Sequence, residues 1–316
     1  MELNQLKKEV KVIGKAKSID RVRQGQTRNG KQYLAYSLNV MVENKKNETL
    51  DEIQVDFFAT EGTAPYKSQN TFYNEAKLVD VDGYEEANTV SIFGEVDFRE
   101  YKSRKSDREV SFNPIKGVFV HRLDEEMKHR AVANVETVIT NIEDRLNDED
   151  LPTGEKVITG FTVGYNEQIV ELTDLIVPQS LAEDFVKIYK PKQTALLTLQ
   201  FINRAVKGEQ ANDDNEEEEV QSAFGVIADT GAGVPTFTKY DNRTLVIGGS
   251  KPYLDDGELS EDEIEHALEL RKEQKSRNLD VQNTPKQQPK QENRNTEDVF
   301  NQGFGNSQVN DDIPDF

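Results

Sequence analysis

VKVIGKAKSIDRVR, the stretch from Val10 to Arg23, alternates along its length: Val10, Val12, Gly14 and Ala16 are small or apolar, Lys11, Lys15, Lys17, Arg21 and Arg23 are cationic, and Ile13 and Ile19 interrupt. Successive side chains of a strand point to opposite faces, so this period of two predicts a half-buried β-strand with a basic rail outside. Four more β-type runs follow at 33–42, 53–59, 89–101 and 110–120. In the second, Leu34, Tyr36, Leu38, Val40 and Val42 share the core face and Tyr33 and Asn39 point out. In the third, Ile53, Val55 and Phe57 go inward and Gln54, Asp56 and Phe58 outward; in the fourth, Val90, Ile92, Gly94, Val96 and Phe98 take the core side and Phe93, Arg99 and Tyr101 the other.

Five such strands are the number of an OB barrel. Asn29-Gly30 supplies the positive φ of a tight turn between the first two. The segment 61–88 sits between strands three and four, and its helix signal is weak. A second β-rich set runs through 132–142, 157–163, 169–177, 195–202 and 244–248, with Ser180 capping a short helix that places Leu181, Phe185 and Ile188 at helical spacing. The acidic stretch 209–219 reads as a loop or disordered insertion. Ser260 with Glu263 forms a capping box opening a helix over 260–276. The Gln-, Asn- and Lys-rich segment after it, with Pro285 and Pro289, has too little apolar content to offset its ordering entropy. The expected class is mainly β: an N-terminal OB-fold domain over 1–125, a second OB-like β domain over 126–256, a helix over 257–278, a disordered linker over 279–309 and an acidic partner-binding tip over 310–316.

The chain carries 39 Lys and Arg against 59 Asp and Glu, a net charge of −20. Spread evenly, that charge would oppose a nucleic-acid partner. It is uneven: residues 1–123 hold 20 basic and 19 acidic side chains, and residues 124–316 hold 19 and 40. The absence of cysteine removes disulfides, thiolate nucleophiles and most structural zinc sites. No run approaches the roughly 18 apolar residues of a membrane span, and the N-terminus lacks the apolar core of a signal peptide, so a cytoplasmic location without membrane contact is expected.

The outward cations and aromatics suit an unpaired nucleic-acid strand, whose bases expose π faces and whose phosphates need neutralising. The expected contacts are Lys15, Lys17, Arg21 and Arg23 on the rail, Arg28 and Lys31 at the turn, the aromatics Tyr33, Phe58, Phe93 and Tyr101, and Arg99. Lys102, Arg104 and Lys105, with Arg108, make a basic hairpin between strands four and five. Against this stands a plainer reading, in which the lysines only keep the strand soluble and Phe58 and Phe93 pack under the 61–88 insertion.

At the far end, Asp311, Asp312, Ile313, Pro314, Asp315 and Phe316 set two apolar anchors on an acidic stem, a docking peptide for a basic pocket. This tip resembles that of bacterial single-stranded DNA-binding proteins, several Asp followed by Ile-Pro-Phe, with Asp315 inserted here. Val12-Ile13-Gly14, Asn29-Gly30, Val55-Asp56-Phe57-Phe58 and Val90-Ser91-Ile92-Phe93-Gly94-Glu95-Val96 followed by Arg99-Glu100-Tyr101 resemble that family's strand signatures in order. The resemblance implies stacking roles for Phe58 and Tyr101, single-stranded DNA as ligand, and recruitment of replication, recombination or repair proteins through the tip. With the doubled barrel it implies a bacteriophage type, hence a bacterial host's cytoplasm. Self-association and RNA as ligand stay open.

Enzyme chemistry has little to stand on. His121, His129 and His266 show no metal-ligand spacing, and Gly231-Ala232-Gly233 and Gly248-Gly249 lack the Lys-Ser/Thr of a phosphate loop. Asp213-Asp214 lies in a dense charge run that reads as solvated. No catalytic residue, metal or cofactor is expected. The alternative function is an acidic OB-containing interaction or scaffold protein without tight DNA binding.

Overall fold

The computed structural model describes residues 3–44, 48–103, 108–124, 127–206, 239–254 and 257–283. The alternating runs of its first part become β1 (Lys8–Gln26), β2 (Gln32–Asn44), β3 (Thr49–Thr60), β4 (Thr89–Val96), the short pair β5 (Arg99–Lys102) and β6 (Glu109–Phe112), and β7 (Ile115–Leu123). β1 pairs antiparallel with β2 and β2 with β3; β3 runs parallel to β7, β7 pairs with β4, and β4 returns to β1. That circuit closes on itself and is the OB-fold barrel. The predicted inward residues Val12, Leu34, Tyr36, Leu38, Val55, Phe57 and Ile92 are all fully buried inside it.

Closure depends on β1, whose 19 residues serve different partners along their length. Lys8 to Ile13 pair with β8 and Glu9 to Lys15 with β4, so Glu9 to Ile13 have both partners; Lys15 to Gln26 pair with β2, and register breaks between Ala16 and Ser18 and between Asp20 and Arg23 bend the strand. Arg21 takes a positive φ of 51° at the second break. Where β1 crosses β2, a Cβ on Gly14 would lie 2.3 Å from the Met41 carbonyl oxygen, so only glycine permits the approach. These bulges also end the simple alternation, and the basic rail is not continuous.

The second part repeats the circuit. β8 (Arg130–Leu146), β9 (Pro152–Val163), β10 (Ile169–Val177), β11 (Thr194–Val206) and β12 (Lys239–Gly249) close in the order β8-β9-β10-β12-β11-β8, with β10 and β12 parallel. Even the first turn is shared. Thr27 N–H donates to the Lys31 carbonyl at 2.8 Å and Gly30 N–H to the Thr27 carbonyl at 2.9 Å; Asn147 and Asp150 donate to Leu151 and Asn147 at 2.9 and 3.0 Å. The second barrel is therefore an OB barrel of the same strand order.

The helices fall in matching slots. Between β10 and β11 lies α3 (Gln179–Ile188); between β3 and β4, where the sequence carries only a weak helix signal, lie α1 (Ala64–Glu75) and the single turn α2 (Val79–Asp82). Thr63 Oγ1 caps α1 by accepting from Tyr66 N–H, Pro65 sits in its first turn, and only Gln69 and Phe72 are buried, too few for a visible apolar stripe. The fourth predicted run also divides: β4 ends at Val96, and Arg99 opens the separate β5–β6 ribbon.

α4 (Glu261–Asn283) starts at the predicted capping box, with Glu263 N–H donating to Ser260 Oγ and Ser260 N–H to Glu263 Oε2, and runs past the expected 276. Ile264 and Ala267 bury against Leu3, Leu6, Val138, Phe161 and Val163. Among the described residues no helix is long and apolar enough to cross a membrane. The acidic stretch 209–219 and the tip 310–316 lie outside the described residues, as does the linker beyond Asn283.

The barrels meet where Lys8 to Ile13 of β1 pair antiparallel with Arg130 to Val135 of β8. Arg204 on β11 adds a two-pronged ion pair to Asp51 on β3, through Nε at 2.9 Å and Nη2 at 3.3 Å. Burial pushes the Asp51 carboxyl above its usual range, and the Arg204 guanidinium pulls it back. Asp51 is 4% exposed, so Arg204→Ala should cost about 3 kcal/mol at neutral pH by stranding the carboxylate. A carboxyl whose folded pKa lies above its unfolded one costs least while protonated. The deficit should therefore be small in acid and grow as pH rises through the Asp51 pKa, a trend that urea unfolding across pH will read.

Candidate nucleic-acid interface

Register fixes what shares the outer face of β1, β2 and β3. Arg23 pairs with Ala35 and Ala35 with Phe58; Gly25 pairs with Tyr33 and Tyr33 with Thr60; Asp20 pairs with Ser37 and Ser37 with Asp56. The face thus carries an aromatic pair, Tyr33 and Phe58, with ring centroids 5.9 Å apart, over a floor of Ala35 and Gly25. Tyr33 is on the predicted side but only 9% exposed, a correction to its reading as an outward aromatic. A Cβ on Gly25 would come within 2.9 Å of the Tyr33 ring, so the ring lies against bare backbone and buries one face there. Phe58 is half-buried, not exposed.

Several predicted phosphate contacts are committed elsewhere. Arg99 Nη1 bonds the buried Asp56 at 2.9 Å, and Asp56 also accepts from Ser37 Oγ and Gln54 Nε2. Lys17 Nζ lies 2.6 Å from Glu52, whose hydrogen bond raises the lysine pKa. Lys15 donates to the Ala87 carbonyl at 2.8 Å and sits 5.6 Å from the Tyr84 ring centre, holding the loop before β4. These three are structural cations. Arg21, Arg28 and Lys31 are exposed around the β1–β2 turn and Arg23 is half-buried beside Phe58.

The β5–β6 hairpin closes the other side. Arg99 reaches Asp56, so by alternation Tyr101 shares that face, and Phe112 lies directly opposite Arg99. Tyr101 and Phe112 are 44% and 41% exposed, with rings edge to face at 6.4 Å. Sequence reasoning missed Phe112, although pairing 99–102 with 109–112 as a hairpin would have found it. Lys102 falls on the Glu100 side by alternation, and Arg104 and Lys105 lie outside the described residues. Phe93 is set apart: it pairs with Lys11 and Phe119, with Lys11 Nζ 4.8 Å from its ring centre, on the β1–β4–β7 side.

The hairpin is anchored from behind by α4. Arg271 bonds Glu100 through both terminal nitrogens at 2.8 and 2.6 Å, bonds Glu171 on β10 at 2.9 Å, and lies 4.8 Å from the Phe98 ring centre. Burial works against this guanidinium's charge, and the two carboxylates more than offset it, raising its pKa. Lys275 adds a 2.7 Å pair to Glu109. Among the described residues no group of three or more His, Cys, Asp or Glu could hold a metal ion.

Strand order and face together define a tandem OB-fold protein with one aromatic, basic-rimmed outer face. The chain belongs to the YorF family, whose model matches residues 7–282. No curated protein matches it. Among solved structures it is similar to the wild-type single-stranded DNA-binding protein from Thermus aquaticus, at 11% identity over 82% of this chain and 99% of that one, with a TM-score of 0.47. It is also similar to the N-terminal domain of PriB protein from Thermoanaerobacter tencongensis, at 15% identity over 37% and 98%, TM-score 0.22. A replication protein A heterotrimer bound to ssDNA matches at 10% identity over 65% and 47%, TM-score 0.22.

The side chains of Arg271 and Glu100 are each 7% exposed, so Arg271→Ala removes a two-pronged ion pair from a buried carboxylate. The expected cost is about 3 kcal/mol, with hydrogen exchange accelerating in 99–112 more than in β2 or β3. Unchanged protection of that hairpin would show that α4 does not hold it.

Proposed function

We propose that the chain binds single-stranded DNA through the outer face of β1, β2 and β3, without catalysis and without strong sequence preference. The observation that carries this reading is the register-fixed row of Arg23, Ala35 and Phe58 beside Tyr33, rimmed by Arg21, Arg28 and Lys31, with Tyr101 and Phe112 exposed on the side of the β5–β6 hairpin from which Arg99 reaches Asp56. Aromatic faces over a low floor accept unstacked bases, each stack contributing about 1–3 kcal/mol, and the cations track the phosphates. A duplex offers no free base faces to such a surface. Non-catalytic strand protection in replication, recombination or repair fits a face whose polar groups bond one another, as Ser37, Gln54, Asp56 and Arg99 do. The tip 310–316 supplies the partner-recruiting function on this reading, and a bacteriophage protein working in its host's cytoplasm is the setting we infer.

Fluorescence anisotropy with a labelled oligo-dT of about 30 nucleotides and a duplex of equal length tests it. Phe58→Ala with Tyr101→Ala should weaken dT binding by roughly tenfold or more and barely change duplex binding. Arg21→Glu with Lys31→Glu should lower the log–log salt slope by about 0.7 for each phosphate that is no longer neutralised. Equally weak binding of both polymers by the native chain would instead favour an acidic interaction protein.

A further inference from the structure

We infer that the groove between α1 and β7 is a docking site for the chain's own segment 310–316. The groove is shallow and open, offers about 380 Å³, and is lined by Lys67, Thr71, Phe72, Phe119, His121 and Arg122. Its floor is aromatic: Phe72 belongs to the core, and Phe119 is half-buried with His121 stacked beside it at 6.3 Å. Its rim is cationic. Lys67 is exposed and makes no ion pair among the described residues. Arg122 is held by Glu75 at 2.6 Å in an exposed pair that a second carboxylate can share.

The occupant is identified by complementarity. The segment carries Ile313 and Phe316 for an apolar floor, Asp311, Asp312 and Asp315 for a cationic rim, and Pro314 to limit the entropy lost on docking. The 26 residues from 284 to 309 separate it from α4. That number of residues can reach up to about 85 Å. Tethering at that distance holds the segment at an effective concentration on the order of millimolar, so modest affinity suffices in cis. The groove lies on the β4–β7 side, apart from the β1–β2–β3 face, so docking there leaves the aromatic face open. A partner that takes the segment would have to displace it from the groove, which makes recruitment a competition.

The test uses the full chain with Ile313→Ala and Phe316→Ala, which vacates the groove, titrated against a fluorescein-labelled peptide of residues 310–316. Saturable binding is expected, weakened at least tenfold by adding Lys67→Glu and Arg122→Glu, and weakened also in the native chain, where its own segment competes. No saturable binding, or binding indifferent to the groove reversals, would overturn the inference. So would binding abolished by Arg21→Glu and Lys31→Glu but not by the groove pair, which would place the segment on the outer β1–β2–β3 face. Oligo-dT binding by the groove variants reports separately on the DNA reading, since Lys67 and Arg122 lie off that face.

Discussion

The antiparallel pairing of Lys8 to Ile13 with Arg130 to Val135 is the contact on which the molecule depends. It joins the first strand of one barrel to the first strand of the next, so ten strands form one continuous sheet wrapped into two closures. A strand that must pair across the seam, with its own β4 and with β2 cannot stay straight; the breaks at Ala16–Ser18 and Asp20–Arg23 are how it turns. Everything that positions the outer face follows from that bend. It brings Arg23 level with Ala35 and Phe58, and Gly25 under Tyr33.

Several of the described cations have structural partners. Lys15, Lys17 and Arg99 hold loops and strands, Arg204 holds the barrels together, and Arg271 holds the hairpin against α4. An ion pair with a buried member, such as Asp51 or Asp56, is costly to break because the lone charge cannot be hydrated. Around the β1–β2 turn, Arg21, Arg28 and Lys31 stay exposed. The working surface is thus smaller, and more sharply bounded, than a count of lysines and arginines suggests.

Much of the fold is legible because strand alternation is a local signal. Val10 to Ala16, Leu34 to Val42 and Ile53 to Phe57 bury the residues the pattern assigns inward, and Ser260 with Glu263 caps its helix as the capping-box spacing predicts. The misreadings have separate causes, each outside the reach of strand alternation. Bulges shift the phase after Ala16, so the rail does not extrapolate; Tyr33 is covered because Gly25, its partner on the neighbouring strand, has no side chain; and α1 hides because only two of its residues are buried. The partners Glu52 for Lys17 and Asp56 for Arg99 are set by tertiary register, which no local period encodes.

The two barrels share a turn and not its chemistry. Between β1 and β2 it carries Arg28 and Lys31; between β8 and β9 the same hydrogen-bonded turn carries Asp148, Glu149 and Asp150. In an assembly of identical subunits a change to one turn is a change to every turn. With both barrels in one chain the two turns can differ, and here one carries charge that attracts a polyanion and the other charge that repels it. A negatively charged polymer approaching the molecule therefore meets two unlike turns, one of a sign that draws it in and one of a sign that turns it away.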